Sequence, residues 1–308
     1  MFIFLRIIKG LSFLGLGGAV IFSGFYAYLS SSNGKPAGEF KIFAEQNKER
    51  PLVFAHRGGK GIAPENTLTA FQKSYDLGVD VLELDIHATK DGELVIIHDK
   101  TVDRTTNEKG LVADKTLAEI KELDAGYKWT NDDGKTFPFR GKDVKIPTLR
   151  EVFEAFPDAI INIEPKYEKP SPVKPLCGLI TEFKRTDKVI IGSFNDDVLE
   201  DFRQTCKGVA TSASPSEATG FLARYKVGLD DNYMPKMSAL QIPQRIGSFE
   251  IVTKDYLKAA HAQNLQVHVW TINKTEDMKH LIEIGVDGIM TDYPDRLLEL
   301  LETKKEKK

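Results

Sequence analysis

The chain has 308 residues, 41% of them hydrophobic, which is enough for one barrel-sized unit or two ordinary domains. A formal net charge of −3 gives no sign of the basic domain with clustered Lys and Arg that nucleic-acid binding calls for, so no nucleic-acid partner is expected. Its two cysteines, Cys177 and Cys206, allow one disulfide but do not fix a redox compartment.

No residue from Gly10 to Leu29 is charged, and the run is close to the ~20 apolar residues that cross a bilayer as a helix. Arg6 and Lys9 precede it, so the positive-inside tendency leaves the N-terminus cytoplasmic and carries the rest across. Residues 1–30 therefore read as an N-terminal transmembrane anchor, making this a single-pass membrane protein whose remaining chain is extracytoplasmic. The alternative is a cleaved signal peptide and a secreted or periplasmic product, although Ala27-Tyr28-Leu29-Ser30 is a poor cleavage site. Residues 31–50 read as a linker whose charged end, KIFAEQNKER, has the composition of a short helix.

From Pro51 onward, short apolar runs alternate with longer amphipathic stretches. Strands are expected over residues 52–55, 81–86, 94–97, 160–164, 189–191, 208–211, 267–271 and 288–290. Helices are expected over residues 65–77, 148–155, 173–184, 196–204, 216–224, 254–263, 275–284 and 294–301. Asn66 and Thr67 are candidate caps of the first helix, and Pro147, Pro215 and Pro294 stand at helix starts, where a missing N–H costs little. About eight strands in β/α alternation imply an α/β fold with a parallel sheet, doubly wound or closed. The residues with chemical potential all end different strands, which favours a TIM (β/α)8 barrel over residues 51–302. One polar stretch, at about 100–146, interrupts the alternation as a small insertion, and 303–308 is a charged tail.

His56 and His98 end the runs VFAH and VIIH. Cleaving a phosphodiester needs one group to accept a proton from the nucleophile and another to supply one to the leaving alkoxide, and imidazole can do either near neutrality. The plain alternative is a pair of rim histidines with structural hydrogen bonds. Arg57 brings a planar, permanently charged fork suited to a phosphoryl group. Glu83 and Asp85, two apart on a strand, share a face, and Glu164 ends another strand with Lys166 two residues on. Three carboxylates without thiols favour a hard divalent cation, Mg²⁺ or Ca²⁺. The competing reading is an ion-pair network with Arg57 and Lys166. Trp270 could wall an alcohol, a choline cation or an acyl chain, or simply pack in the core; Asn273 and Asp292 are weaker candidates on the same rim. His87, His261, His268 and His280 read as structural or surface residues.

These blocks resemble the glycerophosphodiester phosphodiesterase family. HRG with PENT five residues on (His56, Arg57, Gly58, Pro64 to Thr67) is followed by GVDVLELDIHATKDGELVIIHD, RTTNEKG, IPTL, NIEPK, IGSFN, VHVWTIN and GVDGIMTDYP, in the family's order. The resemblance implies a TIM barrel with a small insertion after an early strand. It also implies metal-dependent hydrolysis of glycerophosphodiesters to an alcohol and sn-glycerol 3-phosphate, by direct attack of water or through a cyclic phosphate. By the same resemblance His56 and His98 are the acid/base pair, Arg57 a phosphate ligand, Glu83, Asp85 and Glu164 the metal ligands, and Lys166 a phosphate or carboxylate contact. Pro165 departs from the usual aliphatic residue but faces away from the ligands. The expected partner is a small phosphodiester; the alternative is a lysophospholipase D acting on lysophospholipids or N-acylethanolamine lysophospholipids, which an anchor in the membrane would suit. A non-catalytic membrane-anchored binding protein is disfavoured, because every histidine and carboxylate of the motifs is present.

Overall fold

The computed structural model describes residues 40–44, 49–166 and 169–305. The expected anchor and most of the expected linker lie outside the described residues, as does the end of the tail. Among the described residues no helix is long and apolar enough to cross a membrane.

The described residues form eleven strands: β1 (Leu52–Ala55), β2 (Val81–Ala88), β3 (Leu94–Ile96), β4 (Ile160–Pro165), β5 (Val189–Ile191), β6 (Ala210–Thr211), β7 (Ala239–Pro243), β8 (Arg245–Ile246), β9 (Phe249–Glu250), β10 (Gln266–Trp270) and β11 (Gly288–Thr291). Eight of them run parallel in the order β6-β5-β4-β2-β1-β11-β10-β7. A parallel bridge between Ser212 and Ala239 joins the ends of that path and closes the barrel. Helices follow the strands and bury apolar residues such as Phe71, Phe153, Phe202 and Phe221.

Two strand expectations need correction. Residues 94–97 are not a barrel strand: β3 pairs antiparallel with β2, Ile96 opposite Ile86. Its apolar run resembled a barrel strand, but the connection 89–93 is far shorter than the roughly dozen residues a parallel crossover requires. The eighth barrel strand is instead β7, parallel to β10. Its sequence, ALQIP, hides it, with a glutamine in the middle and a proline at the end. The insertion that follows β3 is no loose loop. It has its own core of Val102, Val112, Ile120, Leu123, Val144 and Ile146, and a helix, Leu117–Lys121, with a full capping box between Thr116 and Glu119.

The bottom of the barrel is plugged. The helix Lys41–Ala44, in the stretch expected to be a linker, places Ile42 and Phe43 against Leu52, Phe54, Val81 and Ala239. Inside lies His268, fully buried, its ring 4.7 Å from that of Phe54. Its Nε2 pairs with Gln266 Oε1 at 2.9 Å. Burial pushes this imidazole down to about 4. Acidification should therefore destabilise the fold: below the ordinary value of 6.5 the unfolded chain takes up a proton that the folded ring refuses, until pH falls to about 4. The loss across that window should reach about 3 kcal/mol, measurable as a fall in the urea midpoint. His268→Gln should flatten it, and an unchanged pH slope in that variant would count against this source of acid sensitivity.

On the outside, Cys177 and Cys206 form a disulfide with a Cα–Cα distance of 5.5 Å, tying the helix Val173–Glu182 to the end of the helix Asp196–Thr205.

Candidate active site

The C-terminal ends of the strands surround a cleft of about 520 Å³. One pole holds His56, Arg57, Glu83, Asp85, His98 and Glu164, so six of the expected site residues meet there although they come from β2, β4 and the turns after β1 and β3.

The first motif is a built turn. After β1, Arg57 adopts a left-handed conformation (φ 52°, ψ 37°), unfavourable for a side-chain-bearing residue by about 1–2 kcal/mol. Its backbone N–H donates to Glu83 Oε2 at 2.6 Å and its guanidinium to Glu65 at 3.0 Å, which holds it there. Gly58 follows at φ 76°, and a Cβ at that position would come within 2.8 Å of the Phe71 ring, so only glycine fits. Asn66 closes the loop: its backbone N–H donates to Arg57 O at 2.9 Å and its amide to Asp85 Oδ2 at 3.0 Å. Thr67 then caps the helix Leu68–Asp76.

Each histidine leans on a carboxylate. His56 Nδ1 is 2.6 Å from Asp292 Oδ1, and His98 Nδ1 is 2.7 Å from Asp99 Oδ1. A carboxylate only accepts, so Nδ1 carries the proton in both rings and Nε2 is the working nitrogen. Asn273 donates to Asp292 at 2.7 Å and receives its backbone N–H at 2.9 Å. Burial lowers the His98 pKa, outweighing the charge of Asp85 and the bond to Asp99. Burial alone would raise Asp99, but hydrogen bonds from Arg104 and His98 hold it at about 2.

Arg104, from the insertion, connects the two halves. It donates to Asp99 at 2.7 Å and twice to Glu65 at 2.7 Å, while Glu65 also accepts from Arg57. Four consecutive charge-assisted contacts thus link His98 to Arg57.

Glu83, Asp85 and Glu164 offer carboxylate oxygens within 4.8 Å of one another. Burial and the Asp85 charge push Glu83 well above the ordinary carboxylate value. Burial likewise lifts Glu164 to about 6, even though Lys166 opposes it. Asp85 would also rise on burial, but Lys166 and Arg57 hold it at about 2. Two buried carboxyls pushed toward protonation beside a third that stays ionised mark a deficit of positive charge that Arg57 and Lys166 do not fill. The Asn66 Oδ1 acceptor is buried beside them without a donor. An all-oxygen set of this kind fits a hard divalent cation.

Lys166 and Trp270 take different places. The ammonium of Lys166 lies 2.7 Å from both Asp85 Oδ1 and Glu164 Oε1, within the carboxylate cluster. Trp270 walls the other pole of the cleft, edge-to-face with Phe194 at 5.3 Å. That pole continues through Leu222, Ile251 and Ile246. Phe194 is 64% exposed and Ile246 63%, unusual for large apolar side chains that serve no packing purpose.

Sequence reasoning gave no site role to Glu65, Asp99 or Arg104 and read Asn66 only as a helix cap. Glu65 and Asn66 are the centre of PENT and Arg104 opens RTTNEKG, so the signal was present as motif without a stated role. Asp292 and Asn273, ranked as weak, form the support of His56.

The model of the glycerophosphoryl diester phosphodiesterase family matches residues 56–296. A glycerophosphodiester phosphodiesterase of Caldanaerobacter subterraneus is 38% identical over 257 residues, covering 82% of this chain and 98% of that protein. A human lysophospholipase D is 30% identical over 287 residues, covering 84% of this chain and 90% of that protein. Among solved structures, a glycerophosphoryl diester phosphodiesterase domain from Mycobacterium tuberculosis shares the fold at a TM-score of 0.74 and 20% identity, over 82% of this chain and 99% of that one. A phosphodiesterase of Oleispira antarctica, solved with the product sn-glycerol-3-phosphate, aligns at 0.65 and 27% identity over 82% and 97%.

Proposed function

The chain belongs to the glycerophosphoryl diester phosphodiesterase family, and from that premise we propose that its cleft hydrolyses glycerophosphodiesters to an alcohol and sn-glycerol 3-phosphate. The observation that carries this reading is the convergence of two carboxylate-backed histidines, an arginine and a three-carboxylate cluster on one wall of one cleft. Hydrolysis forms one P–O bond to the attacking oxygen and breaks the P–O bond to the alcohol, with one proton removed and one returned. His56 and His98 divide those two transfers, each acting at Nε2 while its carboxylate stabilises the imidazolium that forms. Arg57 binds a non-bridging phosphoryl oxygen, and its strained backbone fixes where the fork points. Glu83, Asp85 and Glu164 would hold a divalent cation, Mg²⁺ or Ca²⁺, which when bound polarises the phosphoryl oxygens and offsets their charge. Lys166 keeps Asp85 and Glu164 in place, and Arg104 keeps Asp99 and Glu65 in place behind His98 and Arg57.

The apolar pole supports a second reading of the substrate. A lysophospholipid would set its phosphodiester at the histidines and its acyl chain along Trp270, Phe194 and Leu222. Retention of residues 1–30 as a membrane anchor, with the barrel outside the cytoplasm, suits both substrates and is proposed here on the charge pattern of the N-terminus.

One assay tests these points. Washed membranes from cells producing the full chain should release glycerol 3-phosphate from externally added glycerophosphocholine, lose that activity in EDTA, and regain it with Mg²⁺ or Ca²⁺. Choline release from lysophosphatidylcholine alone would shift the assignment to the second reading. Activity confined to the soluble fraction would discard the anchor and keep the chemistry. No P–O cleavage of either compound would overturn the function.

A further inference from the structure

A second cavity, of about 690 Å³, opens beside the catalytic cleft, between the insertion and the loop after β11. Lys60 lines both cavities. The partition is thin: Glu65 and Asp292 face the second cavity while bonding Arg57 and His56 of the first. The insertion forms a fixed wall, because Trp129 Nε1 donates to Lys60 O at 2.9 Å and stacks edge-on with Phe139.

The charge in this cavity is unbalanced in a specific way. Arg104 is matched by Glu65 and Asp99, and Lys60 by Asp292 at 3.4 Å. Three further cations, Lys73, Lys128 and Arg296, have no carboxylate within ion-pair distance among the described residues, and each is held by a neutral group instead. Lys73 Nζ donates to Ile62 O at 2.9 Å, Lys128 Nζ donates to Asp103 O, and Arg296 lies 3.7 Å over the Tyr293 ring. Only Asp295 opposes them among the remaining lining residues. These three side chains are exposed, so water screens them, but with no carboxylate partner they leave the cavity a positive potential that favours an entering anion.

Building on the function proposed above, we propose that this cavity receives a second phosphate carried by the leaving alcohol, so that the enzyme favours glycerophosphodiesters with a phosphorylated alcohol. With the scissile phosphoryl group on Arg57, the second cavity is its neighbour across one layer of side chains: Glu65 lines that cavity and accepts from Arg57 at 3.0 Å, and Lys60 lines both cavities. The net positive charge left on the cavity matches a phosphate monoester, which carries about −1.5 to −2 at neutral pH.

The test compares glycerophosphoglycerol with glycerophosphoglycerol phosphate, which differ only in the second phosphate, on the wild-type full chain and on Lys128→Ala/Arg296→Ala. Wild type should show the higher kcat/KM on the phosphorylated substrate, and the double variant should lose about tenfold on that substrate alone. Unchanged turnover of glycerophosphoglycerol in the same variant shows that the fold and the chemistry are intact. The preference for the phosphorylated substrate should also shrink with added NaCl in the wild type. Equal kcat/KM for the two substrates in wild type, or a parallel loss on both in the variant, overturns the proposal. Absence of glycerol 3-phosphate from either substrate would instead overturn the function on which it rests.

Discussion

Alanine in place of His98 is expected to lower turnover by at least ~10²-fold, the usual reach of an acid–base group, with little change in stability. His98 is half-buried just after β3, and its one strong side-chain tie is to Asp99. Removing the ring leaves Asp99 still paired with Arg104 at 2.7 Å, so no buried charge is stranded. The same substitution at His56 should cost as much in rate and more in stability, because Asp292 keeps only Asn273 and the looser contact with Lys60. Burial keeps His98 below the ordinary imidazole value, so the ring is neutral at pH 7 and can accept a proton without first losing one. Steady-state kinetics with a parallel melt separates the two effects. Asp99→Asn gives a finer reading: it preserves shape but no longer holds the Nδ1 proton, and should lower kcat with little effect on KM. Wild-type turnover in His98→Ala would remove this residue from the mechanism.

Why the site was so largely legible follows from where barrels keep their chemistry. The strand ends VFAH, VLELD and NIE put a reactive side chain directly after a short apolar run, and local pattern alone locates such residues at the rim. The supporting residues were less legible because their meaning is tertiary. Asp292 lies 236 positions from His56, and Arg104 meets Glu65 across 39 positions, with no periodicity connecting them. Lys166 shows the reverse limit: its spacing from Glu164 was visible, but its bridge to Asp85 depends on β4 lying beside β2, with Glu164 in register with Asp85. The strand errors have the same root. The run at 94–97 looked like a barrel strand by composition and was excluded only by the length of its connection, whereas β7 lacks an apolar signature because Gln241 faces the barrel interior and hydrogen-bonds Asn162 at 2.7 Å.

The other large effect concerns the carboxylate cluster. The double variant Glu83→Ala/Asp85→Ala should lose at least ~10²-fold in turnover, and saturating Mg²⁺ or Ca²⁺ should no longer raise its melting temperature. In the wild type, a cation that binds only the folded chain stabilises it by about 2.7 kcal/mol at a hundredfold excess over its dissociation constant. The metal-free comparison separates a cation site from a closed ion-pair network. If the carboxylates serve only Arg57 and Lys166, deleting two of them leaves Arg57 with Glu65 alone and Lys166 with Glu164 alone, and the variant should melt below the metal-free wild type. If the cluster is built for a divalent ion, deletion also relieves the repulsion that pushes Glu83 up, and the metal-free proteins should melt closer together. Glu83 carries a cost of its own, since the Arg57 backbone N–H then loses its 2.6 Å acceptor and the left-handed turn its main support. Glu83→Gln keeps that acceptor and removes only the charge, so it should preserve the metal-free melting temperature while weakening the shift produced by the ion. Equal stabilisation of wild type and double variant by the cation would refute the metal assignment, leaving Arg57 and Lys166 as the partners these carboxylates exist to hold.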